Sequence, residues 1–168
     1  MTIRIQTEDF DLGQELISMR LAEHAKKDGI AVNNMAVNNI GALVSFVGQV
    51  REFTKNSLND GDNIHTLTLE HYPAMTEKAL MAIEAEAKSR WDIIDTLIIH
   101  RVGTLQPLDQ IVLVAVTSAH RGEAFKACEF IMDYLKTSAP FWKKETTRQG
   151  ERWVEAKLSD DAAKERWK

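Results

Sequence analysis

The residues best suited to chemistry lie in one short segment, residues 134–145, which reads Tyr-Leu-Lys-Thr-Ser-Ala-Pro-Phe-Trp-Lys-Lys-Glu. Three lysines, Lys136, Lys143 and Lys144, surround one proline and two aromatic residues. Pro140 must interrupt any helix, because it lacks an N–H group and its ring clashes with the preceding turn. A helix that ends near Lys136 therefore passes into an extended segment that carries Lys143. Lysines from a helix and from an extended segment then lie close together, an arrangement that suits an anion-binding pocket.

These lysines could act in either charge state. A neutral lysine is a nucleophile or a base, whereas a charged lysine stabilises a developing oxyanion. The alternative is a solvated basic helix end, which the helix macrodipole favours. The residues of this segment alone leave both interpretations open.

Further cationic residues stand at the ends of predicted strands. His120 and Arg121 lie where a buried strand turns into a helix, and the unpaired N–H groups of a helix start attract anions. The planar fork of Arg121 suits phosphate or carboxylate. Arg51 follows a strand and Gly48, so its side chain could reach across the end of a sheet. Each could equally be an ordinary solvated residue.

Other polar residues indicate structural roles. His100 and Arg101 end another strand, where we expect a structural role, pairing with a neighbouring acid. Cys128 falls on the apolar stripe of a predicted helix, which favours core packing over nucleophilic chemistry. The five histidines show no metal spacing, and the sequence contains no Walker loop, GxGxxG or GxSxG motif.

Composition limits the class of protein. The chain has 168 residues, 44% of them apolar and 27% charged, which favours one soluble globular domain. The single cysteine indicates a reducing compartment, and no apolar run has the length of a signal peptide or a membrane helix. We therefore expect a cytoplasmic protein without membrane contact. The net charge of −4 opposes nucleic-acid binding.

Apolar patterning predicts the order β-α-β-β-α-β-β-α, followed by a long final segment. Predicted strands cover residues 3–7, 41–47, 64–70, 96–102 and 111–117, and predicted helices cover about 11–27, 73–90 and 118–136. Ser118 is the expected cap of the last helix, and residues 52–63 and 103–110 are expected to be loops. Adjacent strands imply antiparallel pairs, so the predicted class is α+β.

Five segments together resemble the large, catalytic subunit of molybdopterin synthase, the MoaE family. They run in family order and cover roughly residues 40 to 155. The segments are residues 46–51 (Phe-Val-Gly-Gln-Val-Arg), 69–80 (beginning Leu-Glu-His-Tyr-Pro), 100–103 (His-Arg-Val-Gly), 116–121 (Val-Thr-Ser-Ala-His-Arg) and 130–145. The last, joined to Ser-Ala-His-Arg, is specific.

The resemblance implies an α/β hammerhead with an additional antiparallel β-sheet subdomain. It implies one domain over residues 1–168, with a strand and helix in 1–40, the core and active site in 41–155, and a tail in 156–168. The family converts cyclic pyranopterin monophosphate (precursor Z) into molybdopterin. Sulfur arrives as a thiocarboxylate on the C-terminal glycine of a small ubiquitin-like subunit. Two large subunits form a dimer at the centre of a heterotetramer, and no metal or cofactor is implied.

The resemblance also implies the site residues. Lys136 and Lys143 match the family's two functional lysines, catalytic and in contact with substrate. His120 and Arg121 match its substrate-pocket pair, and Arg51 matches the arginine after Gly-x-Val. In the family a second large subunit can complete the pocket, so these residues need not meet within one chain.

Two departures and two rival functions complete the predictions. Leu108 stands where the family usually has glycine after the proline, which predicts a different turn type, and the loop at residues 55–63 looks longer than usual. One rival is a scaffold that only docks a ubiquitin-like tail. The other is single-stranded nucleic-acid binding through Phe141, Trp142 and the lysines. Neither explains the Ser-Ala-His-Arg segment.

Overall fold

The computed structural model describes residues 2–21, 39–52, 63–154 and 158–168. Within these ranges the chain forms eight strands and four helices. In chain order they are β1 (Thr2–Gln6), α1 (Leu12–Arg20), β2 (Ala42–Gln49), β3 (Thr66–His71), α2 (Pro73–Arg90), β4 (Asp95–Arg101), β5 (Gly103–Leu105), β6 (Gln110–Ser118), α3 (Arg121–Ser138), β7 (Phe141–Thr147), β8 (Gly150–Val154) and α4 (Leu158–Glu165). None of these helices is long and apolar enough to cross a membrane.

The strands form two four-stranded sheets. Sheet A has the order β1-β4-β6-β2, in which β1 runs parallel to β4 and the other neighbours are antiparallel. Sheet B has the order β5-β3-β7-β8 and is antiparallel throughout. The α+β class and the additional antiparallel sheet are therefore confirmed.

Both faces of sheet A are covered, which explains why β4 is buried along its whole length, with Leu97, Ile98 and Ile99 at its centre. One face packs against α2 and α3, where Ile98 joins a buried cluster with Leu80 and Phe130. On the other face, Leu97 and Met19 of α1 belong to a second cluster. Each fully buried aliphatic side chain contributes about 1.5–3 kcal/mol. The core thus fixes the position of α3 on the sheet.

The junction between α3 and β7 has the predicted form. Helix α3 ends at Ser138, and Ala139 is already extended, with φ −82° and ψ 129°. Pro140 follows, and β7 begins at Phe141. Helix α2 likewise carries Pro73 in its first turn, as expected from the fixed φ of proline.

Several predicted boundaries are wrong. Strand β5 lies inside the predicted loop at 103–110, and the final segment contains β7, β8 and α4. Ser118 ends β6, and His120 is the N-cap of α3. The Ser118 hydroxyl instead donates to the carbonyl of Asp92 at 2.8 Å and accepts from the His120 N–H. Residues 22–27 of the first predicted helix and most of the 52–63 loop lie outside the described residues.

The prediction of a different turn type at Leu108 is also wrong. Leu108 itself adopts the left-handed conformation, with φ 75°. Its N–H donates to the carbonyl of Val50 at 2.9 Å, and the Asp109 carboxylate accepts from the N–H of Gln106 at 2.7 Å. These hydrogen bonds hold the turn although a left-handed leucine costs about 1–2 kcal/mol.

The C-terminal residues pack on α3. Trp167 meets the rings of Trp91 and Phe130 edge-on, each with centroids 5.6 Å apart. Its indole N–H donates to Asp133 Oδ2 at 2.7 Å, and Arg166 bonds the same oxygen at 2.6 Å. These contacts hold Arg166 and Trp167 beside the last turns of α3.

Candidate functional site

Helix α3 carries predicted site residues at both of its ends. Arg121 is the first residue of the helix, and Lys136 lies in its last turn. A rise of about 1.5 Å per residue places their Cα atoms about 22 Å apart along the axis. The two residues therefore lie at opposite ends of the helix.

The N-terminal end of α3 forms an open pocket. Gly41, Ala119, His120, Arg121 and Gly122 line its volume of about 340 Å³. A Cβ atom on Gly41 would lie 2.2 Å from the carbonyl oxygen of Ala119, so only glycine fits there. His120 makes no side-chain cap hydrogen bond. A helix N-terminus and the Arg121 guanidinium thus face one pocket, an arrangement that suits an anion.

The C-terminal end of α3 leads to the two predicted lysines. Lys136 is exposed, and Lys143 is half-buried in β7. Lys143 lies opposite Leu69 of β3 and Val154 of β8 in the sheet register. The α3–β7 junction therefore links both lysines through six intervening residues, from a helix on sheet A to a strand of sheet B.

Arg51 lies at the same end of sheet A as Lys136. Strands β2 and β6 are antiparallel, with Gln49 opposite Gln110 at one end and Ala42 opposite Ser118 at the other. Arg51 follows the first of these ends, whereas His120 follows the second. Helix α3 turns back over β6, so its last turn lies toward the end that carries Arg51. The five predicted residues thus form two groups. Arg51, Lys136 and Lys143 form one group, and His120 and Arg121 form the other.

Sequence reasoning missed an aromatic stack beside Lys143. The rings of His100 and Phe141 are stacked with centroids 3.7 Å apart and an interplanar angle of 11°. His71 stacks on Phe141 from farther away, at 6.1 Å, and its buried Nδ1 has no hydrogen-bond partner. The sequence shows His100 and Arg101 at a strand end, but Phe141, the aromatic partner of His100, lies far away in the sequence.

His100 is an uncharged residue at neutral pH. It is 3% exposed. Burial, together with the nearby Lys143 and His71, lowers the pKa of His100 to about 4, against the opposing effect of the hydrogen bond to the Arg101 carbonyl. A neutral imidazole therefore lies next to the proposed cationic site.

The structural predictions for Arg101 and Cys128 are confirmed. Arg101 lies 3.3 Å from the Asp9 carboxylate and donates to the carbonyls of Thr7 and Gln110. Cys128 is buried in the core, and burial raises the pKa of its thiol to about 11. In the described part of the chain, no group of three histidine, cysteine or acidic side chains could hold a metal ion.

Comparisons with known proteins show the family. Residues 21–138 match the family described as MoaE protein. The molybdopterin synthase catalytic subunit of Ralstonia nicotianae is 55% identical over 166 residues, which cover 99% of this chain and 84% of that protein. The solved MoaE protein from Burkholderia ambifaria is 54% identical, with a TM-score of 0.73 over 99% of this chain and 97% of that one. The chain therefore belongs to the MoaE family.

A more distant structure shows the same fold. It comes from a complex of subunits 1 and 2 of molybdopterin-converting factor of Helicobacter pylori. The matched chain is 21% identical, with a TM-score of 0.68 over 91% of this chain and 90% of that one. At this identity the likeness concerns the fold alone.

Proposed function

We propose that this chain transfers sulfur to cyclic pyranopterin monophosphate through two cationic surfaces. The lysine surface consists of Arg51, Lys136 and Lys143, and the helix-start surface consists of His120 and Arg121. The reaction follows from the family: the chain is an enzyme with the activity of a molybdopterin synthase catalytic subunit, which converts precursor Z into molybdopterin by sulfur transfer. The observation that carries the residue assignment is the position of cationic residues at both ends of α3.

The sulfur comes from outside the chain. Cys128 is the single cysteine of the sequence, and its thiol is buried with a pKa of about 11. A thiolate, not a thiol, transfers sulfur, so this residue is unsuited to the task. A small ubiquitin-like partner with a C-terminal thiocarboxylate supplies the sulfur instead.

Both reactants are anions, and this explains the cationic surfaces. The substrate carries a cyclic phosphate, and the donor carries a thiocarboxylate. Two unit charges 4 Å apart near a protein surface interact with about 4 kcal/mol, so fixed cations are needed to offset the repulsion. Lys136 orients the acyl group and stabilises charge as sulfur leaves it. Lys143 and Arg51 hold the substrate from the same side.

A second copy of the chain completes the pocket. Because about 22 Å separate Arg121 from Lys136 along α3, His120 and Arg121 reach the lysine surface of a different protomer. The arrangement gives a symmetric dimer with two shared sites. One small subunit at each end then forms a heterotetramer, and the reduced Cys128 suits the cytoplasm.

A reconstituted assay tests the role of Lys136. The purified chain is mixed with thiocarboxylated partner and cyclic pyranopterin monophosphate, and dithiolene product is measured. We expect Lys136→Ala to lower turnover by about 100-fold or more at saturating partner and substrate. Lys126→Ala is the matched control, because Lys126 is an exposed lysine of the same helix without a proposed role.

Three outcomes are distinct. Product from the wild type and from Lys126→Ala, but not from Lys136→Ala, supports the assignment. Full activity of Lys136→Ala would show that another group stabilises the leaving sulfur. A stable complex without any product would favour the scaffold function instead.

A further inference from the structure

We propose that His100 is a positioning residue for Lys143, which it holds in place through Phe141. The inference rests on the proposed function of Lys143 and adds a residue to which that proposal gives no role. Three observations support it: the ring stack, its place between the two sheets, and the absence of charge on the stacked imidazole.

The stack is the tightest ring contact in the described part of the chain. His100 and Phe141 lie almost parallel, with 3.7 Å between centroids. The remaining ring pairs of that part have centroids at least 4.3 Å apart. The imidazole is itself fixed, because its Nδ1 lies 2.8 Å from the carbonyl oxygen of Arg101. Phe141 is therefore held by a residue that has little freedom to move.

The stack joins the two sheets where the lysine surface begins. His100 belongs to β4 of sheet A, and Phe141 is the first residue of β7 in sheet B. Lys136 is on α3, which packs on sheet A, whereas Lys143 is in sheet B. The contact therefore fixes the position of β7, which carries Lys143, relative to sheet A and α3, which carries Lys136.

The position of Phe141 determines the position of Lys143, because both residues belong to β7. Residues two apart on a strand share a face and lie about 6.6 Å apart, so both side chains leave β7 on the same side. In the register, Phe141 lies opposite His71 and Lys143 lies opposite Leu69 of β3. The preceding Pro140 has no N–H to donate, so β7 starts without a ladder bond from that residue. The Thr76 hydroxyl donates to the carbonyl of Pro140 at 3.3 Å, and the packing of Phe141 on His100 is a second contact that fixes the strand start.

The uncharged imidazole suits a place beside a lysine. A carbonyl oxygen only accepts hydrogen bonds, so Nδ1 of His100 carries the proton and Nε2 keeps its lone pair. The charged or titratable groups that act on His100 are Lys143 from β7 and His71 from β3. Its neighbours in the sheet register, Ile5 of β1 and Val112 of β6, are apolar. A permanent cation at this position would repel Lys143.

Two replacements separate stacking from other functions of His100. His100→Phe keeps an uncharged flat ring, whereas His100→Gln keeps a polar group but removes the ring. We expect His100→Gln to lower kcat by about 10- to 100-fold, because small misplacements of a catalytic group cost this much. We expect His100→Phe to stay within about 3-fold of the wild type, because aromatic stacking survives. His65→Gln, an exposed histidine before β3, is the control.

A double variant tests whether His100 acts through Lys143. Residues that act as one unit show non-additive effects. His100→Gln combined with Lys143→Ala should therefore be no slower than Lys143→Ala alone. All rates are measured at saturating partner and substrate, well below the melting temperature of each variant, so that loss of folded protein does not imitate loss of kcat.

The outcomes distinguish this inference from the proposed function. An inactive Lys143→Ala with a fully active His100→Gln would overturn the positioning role and leave the function of Lys143 intact. Multiplying effects in the double variant, or equal damage from His100→Phe and His100→Gln, would also overturn it. A fully active Lys143→Ala would overturn the assigned role of Lys143, and the inference with it.

Discussion

Lys143 and Lys144 are adjacent on β7, yet their side chains leave the strand on opposite faces. Lys144 Nζ lies 3.0 Å from a Glu151 carboxylate oxygen and 5.8 Å from the centre of the Trp153 ring. Lys143 lies on the face of Phe141 and acts electrostatically on His100. Two neighbouring lysines of equal chemistry therefore have different surroundings, and only one belongs to the lysine surface.

This difference predicts unequal effects of the two alanine substitutions. Lys143→Ala removes a cation from the proposed anion site and should lower kcat/KM by about 100-fold. Lys144→Ala removes a partly exposed ion pair worth less than about 1 kcal/mol and should keep kcat/KM within about 2-fold. Steady-state kinetics of the reconstituted enzyme measure both. Equal losses in the two variants would show that general positive charge, not the position of Lys143, serves the reaction.

The left-handed Leu108 predicts a stabilising substitution. Glycine adopts φ 75° without the clash of a Cβ atom, but it loses more backbone entropy on folding. Since Leu108 is 76% exposed, loss of its side chain costs little. We expect Leu108→Gly to raise the free energy of unfolding by about 0.5–1 kcal/mol in urea denaturation. Leu108→Ala keeps the Cβ atom and should bring no gain; an equal gain from both would exclude strain as the cause.

The neutral, buried His100 predicts a loss of stability in mild acid. Its folded pKa of about 4 lies below the 6.5 of a histidine side chain exposed to solvent. Between these values the unfolded chain binds the extra proton, so the free energy of unfolding falls as the pH falls from 6.5 to 4. The shift corresponds to about 3 kcal/mol, most of it lost by pH 4. His100→Phe should lack this contribution, and its unfolding free energy should depend less on pH.

That comparison uses urea unfolding of both proteins at several pH values between 4 and 7.5. Carboxylates contribute equally to the two curves, so the difference between them isolates residue 100. Parallel curves would show that the pKa of His100 is the same in the folded and the unfolded chain, and would contradict the lowered pKa.

The sequence predicted the elements that depend on local signals. The apolar stripe of α3 and the break at Pro140 predicted where the helix gives way to β7, because both are properties of neighbouring residues. Strand β5 was missed because its three residues form a strand only through pairing with Leu67–Leu69 of β3. Such pairing depends on chain segments that lie far apart, and periodicity does not report it.

The candidate site was predictable as a set of residues but not as an arrangement. The types and positions of His120, Arg121 and Lys136 indicated anion binding, and the structure places them at the ends of α3. Their separation of about 22 Å follows only once the length of that helix is known. The stack of His100 on Phe141 was invisible because it joins two sheets.

The pairing of Lys136 from one protomer with Arg121 from another is tested most directly by complementation. Arg121→Ala and Lys136→Ala, each inactive alone, are co-expressed with different tags, and mixed dimers are isolated. If the site is shared, each mixed dimer has one intact site of two and about half the wild-type activity per dimer. If both residues serve one ligand within a chain, no intact site forms and the mixed dimers remain inactive, which would contradict the account.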